Sequence, residues 1–414
     1  MAYDSPSPQE NFMSEWLHDL FSGRPWWMNA AMVFCAFMAF IYMPWDIFWK
    51  PVEADQEVWF GVMFTGWAAK WAALPHWFVY AALAYGFRRR RSWMRVAAPA
   101  YVAQVAIGML LWPNFQYGSW TGFFLGLIAG VPFALLTLAF WNARDHFTHK
   151  RGSLRARYGE WAVVTGASAG IGLEFARAFA RDGIHCVLVA RRREKLNALA
   201  TELKEQFQVE VRVEAVDLAS PEGPDRVADA VADLDVGILV NNAGIGYAGR
   251  FDKQDLSRLR EMVNLNCMAP LVLTHRVLPA MRDRRRGAVI MTGSVAGRQP
   301  LPLHGVYSAT KAFDLHLGEA LWAEMRADGI DSLVLEPGPT LTEFQQAAGE
   351  LPHDGATASS VVNAALDALG QQPSVVAGWW NWIRANSASR VGSRPLVAYV
   401  ARHIMERQTP KEML

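Results

Sequence analysis

Between Val96 and Ala143 the chain runs for roughly 48 residues without an aspartate, glutamate, lysine or arginine, length for two crossings of a bilayer core at ~20 residues each. Pro113-Asn114-Phe115-Gln116-Tyr117-Gly118 lies in the middle of that run and reads as the turn between them. Upstream, Pro25 to Trp45 is also free of charge, and Trp26, Trp27, Trp45 and Trp49 flank it as interfacial anchors would. Most of the 18 tryptophans fall before residue 150, in keeping with that placement. A further apolar stretch from about Trp59 to Phe87 is interrupted by Lys70 and His76; it reads as another span, or as a re-entrant or interfacial hairpin. Lys70 is read as structural rather than functional. These segments predict a helical membrane domain of about four spans over residues 25–143, between an N-terminal tail (1–24) and a basic linker (144–158).

Basic residues set the orientation. Arg88 to Arg91 form one cluster, and Arg144, Lys150, Arg151, Arg155 and Arg157 form another. With four spans the two clusters share a side, which the positive-inside rule makes cytoplasmic. The stretch Lys50 to Glu57 is net acidic, as suits the opposite side. The first apolar run does not read as a signal peptide, because Asp4, Glu10, Glu15 and Asp19 precede it where a basic region belongs. A net charge of +1 with 19% charged residues argues against a nucleic-acid partner. Cys35, Cys186 and Cys267 are far apart, lack metal-ligand spacing, and read as reduced structural residues; no metal site is expected.

After residue 158 the pattern changes. Trp161 to Thr165 reads as a short buried strand, leading into Gly166-Ala167-Ser168-Ala169-Gly170-Ile171-Gly172 and a helix from Leu173 to about Arg181. A strand, a glycine turn and a helix start bring backbone N–H groups and a helix dipole onto a pyrophosphate. Gly166 permits the sharp turn, Gly170 the approach of a dinucleotide, and Gly172 close packing of helix on sheet. The next strand, His185 to Ala190, ends in Arg191-Arg192-Arg193, where an NAD-binding chain would place a carboxylate for the ribose hydroxyl. Arginine suits a 2′-phosphate, so the pattern favours NADP(H) over NAD(H) through Arg191, with Arg192 and Arg193 equally readable as a solvated helix start.

Tyr307 and Lys311 are four residues apart, which on a helix stacks phenol and ammonium on one face. A free phenol titrates near pH ~10. A cation beside it favours the phenolate and makes the pair usable for proton transfer.

Taken with these motifs, the stretch from about Tyr158 to Arg407 resembles the short-chain dehydrogenase/reductase family. The resemblance implies a Rossmann-like, doubly wound parallel sheet and a nicotinamide dinucleotide site. It adds Ser168 and Ile171 of the glycine turn to that site, together with Asp217 and Leu218 at the adenine. It adds Asn242, Ala243 and Gly244 along the cofactor, and Pro337, Gly338 and Thr342 at the carboxamide. Tyr307 and Lys311 also contact the cofactor in such proteins. The implied catalytic set is Asn266, Ser294, Tyr307 and Lys311, with Asn264 a rival for Asn266. Ala169 stands where many NADP-dependent relatives carry a basic residue, which leaves more of the 2′-phosphate to Arg191.

The expectation is a membrane-anchored NADPH-dependent reductase of a ketone in a lipophilic molecule such as a 3-oxoacyl, ketosphingoid or steroid-like compound. Membrane lipids would be partners, and homo-oligomers could form through the reductase domain of residues 159–414. Alternatives are oxidation of an alcohol by the same residues, or a transporter or scaffold carrying a redox-sensing domain. The C-terminal run of tryptophans and arginines from Gly378 reads equally as a membrane-surface segment or a packed helix.

Overall fold

The computed structural model describes residues 21, 25–89, 91, 93–147, 153–351 and 354–414. Apart from Phe21, the expected tail lies outside the described residues, as do Arg90, Lys150 and Arg151. The chain divides into two compact units, Met1–Lys150 and Arg151–Leu414.

In the first unit, helix α1 (Trp26–Phe48) is followed by a hairpin of strands β1 (Gln56–Trp59) and β2 (Val62–Thr65). Helices α2 (Trp67–Arg89), α3 (Met94–Tyr117) and α4 (Ser119–Asn142) complete it. Among the described residues, three helices are long and apolar enough to cross a membrane: α1, α3 and the Trp120–Asn142 stretch of α4. The expected second span differs. Its first residues form the hairpin, because Phe60 and Gly61 both take positive φ (50° and 87°) and close a two-residue turn. The remainder is α2, long enough but carrying Lys70 and His76.

The turn between α3 and α4 is also tighter than expected. Pro113 to Tyr117 stay helical, and Gly118 alone reverses the chain at φ 57°. Gly122, Gly126 and Gly130 of α4 face Leu110, Pro113 and Asn114 so closely that added side chains would strike α3. Small residues let the two backbones approach, as between helices in lipid.

Lys70 is buried and satisfied. Its ammonium donates to the Asp46 and Lys50 carbonyls and pairs with Asp55 at 3.1 Å. Lys50 bridges Asp46 (2.9 Å) and Asp55 (2.7 Å). The quartet thus fastens the end of α1 and the hairpin entry to α2. Lys70→Met is expected to destabilise this unit by about 2–3 kcal/mol, since it strips a charged donor from two carbonyls and a carboxylate. Thermal melting of the full chain in detergent measures this, and an unchanged transition would refute a structural role for Lys70.

The second unit begins with α5 (Leu154–Tyr158). It then alternates β3 (Trp161–Thr165), α6 (Gly170–Arg181), β4 (His185–Ala190), α7 (Arg193–Phe207), β5 (Val211–Ala215), α8 (Gly223–Ala230) and β6 (Val236–Asn241). Helices α9 (Leu256–Val263) and α10 (Ala269–Asp283) lead to β7 (Gly287–Thr292), α11 (Gly305–Met325) and β8 (Ile330–Glu336). The chain closes with α12 (Phe344–Ala348), α13 (Ala358–Ala368), β9 (Ser374–Val376), α14 (Trp379–Val391) and α15 (Arg394–Glu406). The seven strands form one parallel sheet in the order β9-β8-β7-β6-β3-β4-β5. Its central strands are buried along their whole length, as a sheet covered by helices on both faces requires. Chain order reverses between β3 and β6, and ligands of such sheets bind at that crevice, beyond the strands' carboxyl ends.

Candidate active site

β3 delivers the chain to Gly166 (φ 67°) and, four residues on, to Gly170 (φ 57°), both in the left-handed region that disfavours side chains. A side chain on Gly166 would also meet Asn242 and Ala243, and one on Gly170 would meet Thr342. Helix α6 starts at Gly170, three residues before the position the hydrophobic pattern suggested. The positive end of its dipole therefore lies within the turn itself. Thr165 locks this turn to the segment that follows β6: its hydroxyl accepts from the N–H groups of Asn242 (2.8 Å) and Ala243 (3.0 Å), and its carbonyl accepts from the Asn242 amide.

The arginines after β4 are not equivalent. Arg191 pairs with Glu261 at 3.1 Å and lies at the cleft. Arg192, read from sequence as no more than a coin-toss for phosphate, folds back over the glycine turn. It donates to the Ser168 hydroxyl (3.1 and 2.8 Å) and to Glu343 (2.5 Å). The carboxyl of Glu343 is held below its usual range by Lys195 and Arg192. Arg193 is exposed and outside the cleft lining.

At the other end of the cleft, α11 carries Tyr307 and Lys311 one turn apart. Lys311 is buried and donates to the Thr292 carbonyl at 2.7 Å and to Asp314 at 2.9 Å. Burial opposes its charge, but Asp314 and Tyr307 outweigh that and hold the ammonium above its usual range. Burial likewise pushes the Tyr307 phenol up, while Lys311 and a hydrogen bond with Ser294 pull it back. The lysine's pull, expected from the sequence to prevail, is outweighed in the folded chain by desolvation of the phenol, helped by the negative charges of Glu350 and Asp314. Ser294 lies just past β7, where its oxygen accepts from the Ala296 N–H at 3.1 Å. Arg298 secures this turn through a two-pronged pair with buried Glu336, both contacts at 2.5 Å.

Asn266 sits in a π-turn within the helix and is buried. It accepts from the Ile245 N–H (3.0 Å) and donates to the Ile245 carbonyl (2.9 Å) and Thr310 (3.0 Å). Asn264, its rival, is exposed.

One cleft of about 1150 Å³ connects the two ends. Of the site residues expected from the sequence, all line it except Gly172 and Asn266. Gly172 backs onto the Gly166 carbonyl, and Asn266 stands behind Gly244. Sequence reading missed Thr165 and Asp314, and left Arg192 evenly balanced between phosphate and solvent. Asp314 had a visible signal, an acidic residue three positions after Lys311 on the same helix. The glycine cradle, the helix terminus and the arginines fit a nicotinamide dinucleotide.

The short chain dehydrogenase family matches residues 160–352. The very-long-chain 3-oxoacyl-CoA reductase of Macaca fascicularis is 34% identical over 259 residues, 58% of this chain and 82% of that protein. The Homo sapiens protein of that name is 40% identical over a shorter 176 residues, 42% of this chain and 56% of its own length. Among solved structures, a 7beta-hydroxysteroid dehydrogenase superposes with a TM-score of 0.57 at 31% identity, covering 60% of this chain and 98% of that one. A Sphingobium yanoikuyae short-chain dehydrogenase in complex with NADPH gives 0.50 at 34% identity, over 53% and 86%. The chain is an oxidoreductase acting between alcohol and carbonyl groups, and it belongs to the short chain dehydrogenase family.

Proposed function

We propose that this chain is a membrane-anchored, NADPH-dependent reductase that converts the ketone of a long-chain 3-oxoacyl compound to a hydroxyl. The observation that carries the reading is the continuity of the cleft. It runs from the arginine-edged glycine turn, past Ser294, Tyr307 and Lys311, to an apolar mouth formed by Leu396, Val400 and Ile404. The names of the 3-oxoacyl-CoA reductases support the substrate class.

A bound reduced nicotinamide would supply the hydride for the carbonyl carbon. Tyr307 donates the proton to the carbonyl oxygen. Ser294 hydrogen-bonds that oxygen as negative charge develops on it. Lys311 favours the phenolate left behind, and its remaining donor is available to the nicotinamide ribose. Asn266 braces the Ile245 backbone beside Lys311. Gly166, Ser168, Gly170, Ile171 and Gly172 hold the pyrophosphate side, and Arg191 with Arg192 takes the 2′-phosphate. Asp217 and Leu218 border the adenine. Asn242, Ala243, Gly244, Pro337, Gly338 and Thr342 flank the cofactor toward the nicotinamide.

The first unit would cross the bilayer several times, with α2 as a fourth crossing whose lysine is neutralised by Asp55. Arg88, Arg89 and Arg91 at the end of α2 and Arg144 after α4 would then mark the cytoplasmic side, where NADPH is held. The direct test is NADPH oxidation by the full chain in nanodiscs, offered long-chain 3-oxoacyl thioesters. Absence of turnover with any long-chain ketone would sink the reading.

Asp314 is assigned as the residue that positions and charges Lys311. Asp314→Asn removes a negative charge that favours both the ammonium and the neutral phenol. The first proton of the Tyr307–Lys311 pair therefore leaves at lower pH. The alkaline limb of kcat should move down by about one pH unit, with KM for NADPH little changed. A limb that stays in place would show that Asp314 only packs.

A further inference from the structure

We propose that the outer face of α14 and α15 is a membrane-docking surface that sets the mouth of the cleft against the bilayer, so that a long acyl chain enters it from the lipid. The second half of this statement rests on the lipophilic substrate proposed above; the first does not.

Helix α15 is apolar on two sides. Val397, Ala401 and Met405 are buried against the unit. Leu396, Tyr399, Val400 and Ile404 are exposed, Tyr399 at 77% and Val400 at 51%. A helix resting on a core needs one apolar stripe, so the second calls for a partner. Leu396, Val400 and Ile404 also line the cleft, which makes the exposed surface and the path to Tyr307 continuous. On α14, Trp382 is exposed, and the Arg384 guanidinium lies 5.3 Å from the centre of the Trp380 ring.

The chemistry selects a lipid surface. Tryptophan and tyrosine with arginine at the edge is the composition of the headgroup boundary, where rings sit among glycerol groups and guanidinium groups reach phosphate. Residues 380–407 contain Arg384, Arg390, Arg394, Arg402 and Arg407 against the single acid Glu406. That balance complements an anionic leaflet. The described residues of the same chain include three helices long and apolar enough to cross a bilayer, so this unit is covalently joined to a segment suited to lipid.

The test uses the full chain in nanodiscs containing phosphatidylglycerol. A nitroxide is attached at Tyr399→Cys, with Trp382→Cys as a second site should the first fail to fold. Glu205→Cys, exposed on α7, is the water-facing control. The unmodified chain is the labelling blank, its Cys35 and Cys186 being buried and Cys267 half-buried. The expected result is relaxation by oxygen and protection from a nickel chelate at 399 or 382, with the reverse at 205. Equal chelate access at all sites overturns the proposal. Protection accompanied by dipolar coupling between labels would assign the face to a second copy, and protection lost on washing away a co-purified protein would assign it to that protein; both overturn it. Functionally, Tyr399→Asp combined with Trp382→Ser should lower turnover of a bilayer-dissolved 3-oxoacyl substrate by about ten-fold and leave a short soluble ketone unaffected. If no ketone is reduced at all, the proposed activity fails, while the labelling result stands on its own.

Discussion

Tyr307→Phe is expected to lower kcat by about 10³-fold while leaving the dissociation constant for NADPH within a factor of about two. The substitution removes one oxygen and keeps the ring, which packs against Phe344 with centroids 5.6 Å apart. What is lost is the Tyr307 phenol, hydrogen-bonded with Ser294 and beside Lys311, and with it, on the proposed mechanism, the proton that reaches the substrate oxygen as hydride reaches carbon. General acids of this kind contribute about 10²–10⁴ in rate, so the loss should lie in that range. Burial holds the Tyr307 proton on more firmly than in water, which favours its being present at neutral pH. Reduction needs the phenol protonated, so activity persists at low pH and falls as pH rises through the pKa of the Tyr307–Lys311 pair. Stopped-flow NADPH oxidation measures kcat, and calorimetric titration measures cofactor binding. A loss smaller than about ten-fold would remove Tyr307 from the proton-transfer role.

The parts of the fold that were legible in sequence were those where local pattern and final environment agree. Trp161–Thr165 and His185–Ala190 are continuous apolar runs with turn signals at both ends, and both are strands with those same bounds. Periodicity alone does not separate such a run from a buried helix segment; its shortness, its flanking turn signals and its valines do. The hairpin at residues 56–65 was hidden because Val62, Met63 and Phe64 are as apolar as the helix that follows. Hydropathy registers burial in lipid or protein without distinguishing backbone geometry. The position of the α3–α4 reversal was misplaced for a related reason: Pro113 looked like the break, yet a proline is tolerated inside a membrane helix and the reversal needed only the positive φ of Gly118.

In the site, residues bound to backbone by short-range geometry could be placed from motif spacing, and those acting across the fold could not. Arg192 contacts Ser168, 24 positions earlier, and Glu343, 151 positions later. No local pattern records that fold-back. The shift of the Tyr307 phenol shows the other gap. A sequence displays the lysine that lowers such a value but not the enclosure that raises it, and the balance belongs to the packed molecule.

The two arginines lead to the second large effect. Combining Arg191→Asp with Arg192→Ala should lower kcat/KM for NADPH by about 10²-fold or more and change that for NADH by less than about three-fold. A 2′-phosphate brings close to two negative charges, and each guanidinium bond to it contributes about 1.5–3 kcal/mol, or roughly ten- to hundred-fold. Both arginines are already paired, Arg191 with Glu261 and Arg192 with Glu343, so part of that gain is spent exchanging carboxylate for phosphate. The pairs are solvent-exposed and weak, so phosphate displaces them readily. Arg192 holds the better place, because its second contact is the Ser168 hydroxyl in the glycine turn itself. The single Arg192→Ala variant should therefore lose more NADPH selectivity than Arg191→Ala. In the double variant the aspartate at 191 also stands where NAD-binding chains keep a carboxylate for the free ribose hydroxyl. Steady-state kinetics with both cofactors at two salt concentrations decide the point. An unchanged NADPH-to-NADH ratio would dissociate the arginines from cofactor choice, while a ratio that collapses and loses its salt dependence would fix the phosphate between them.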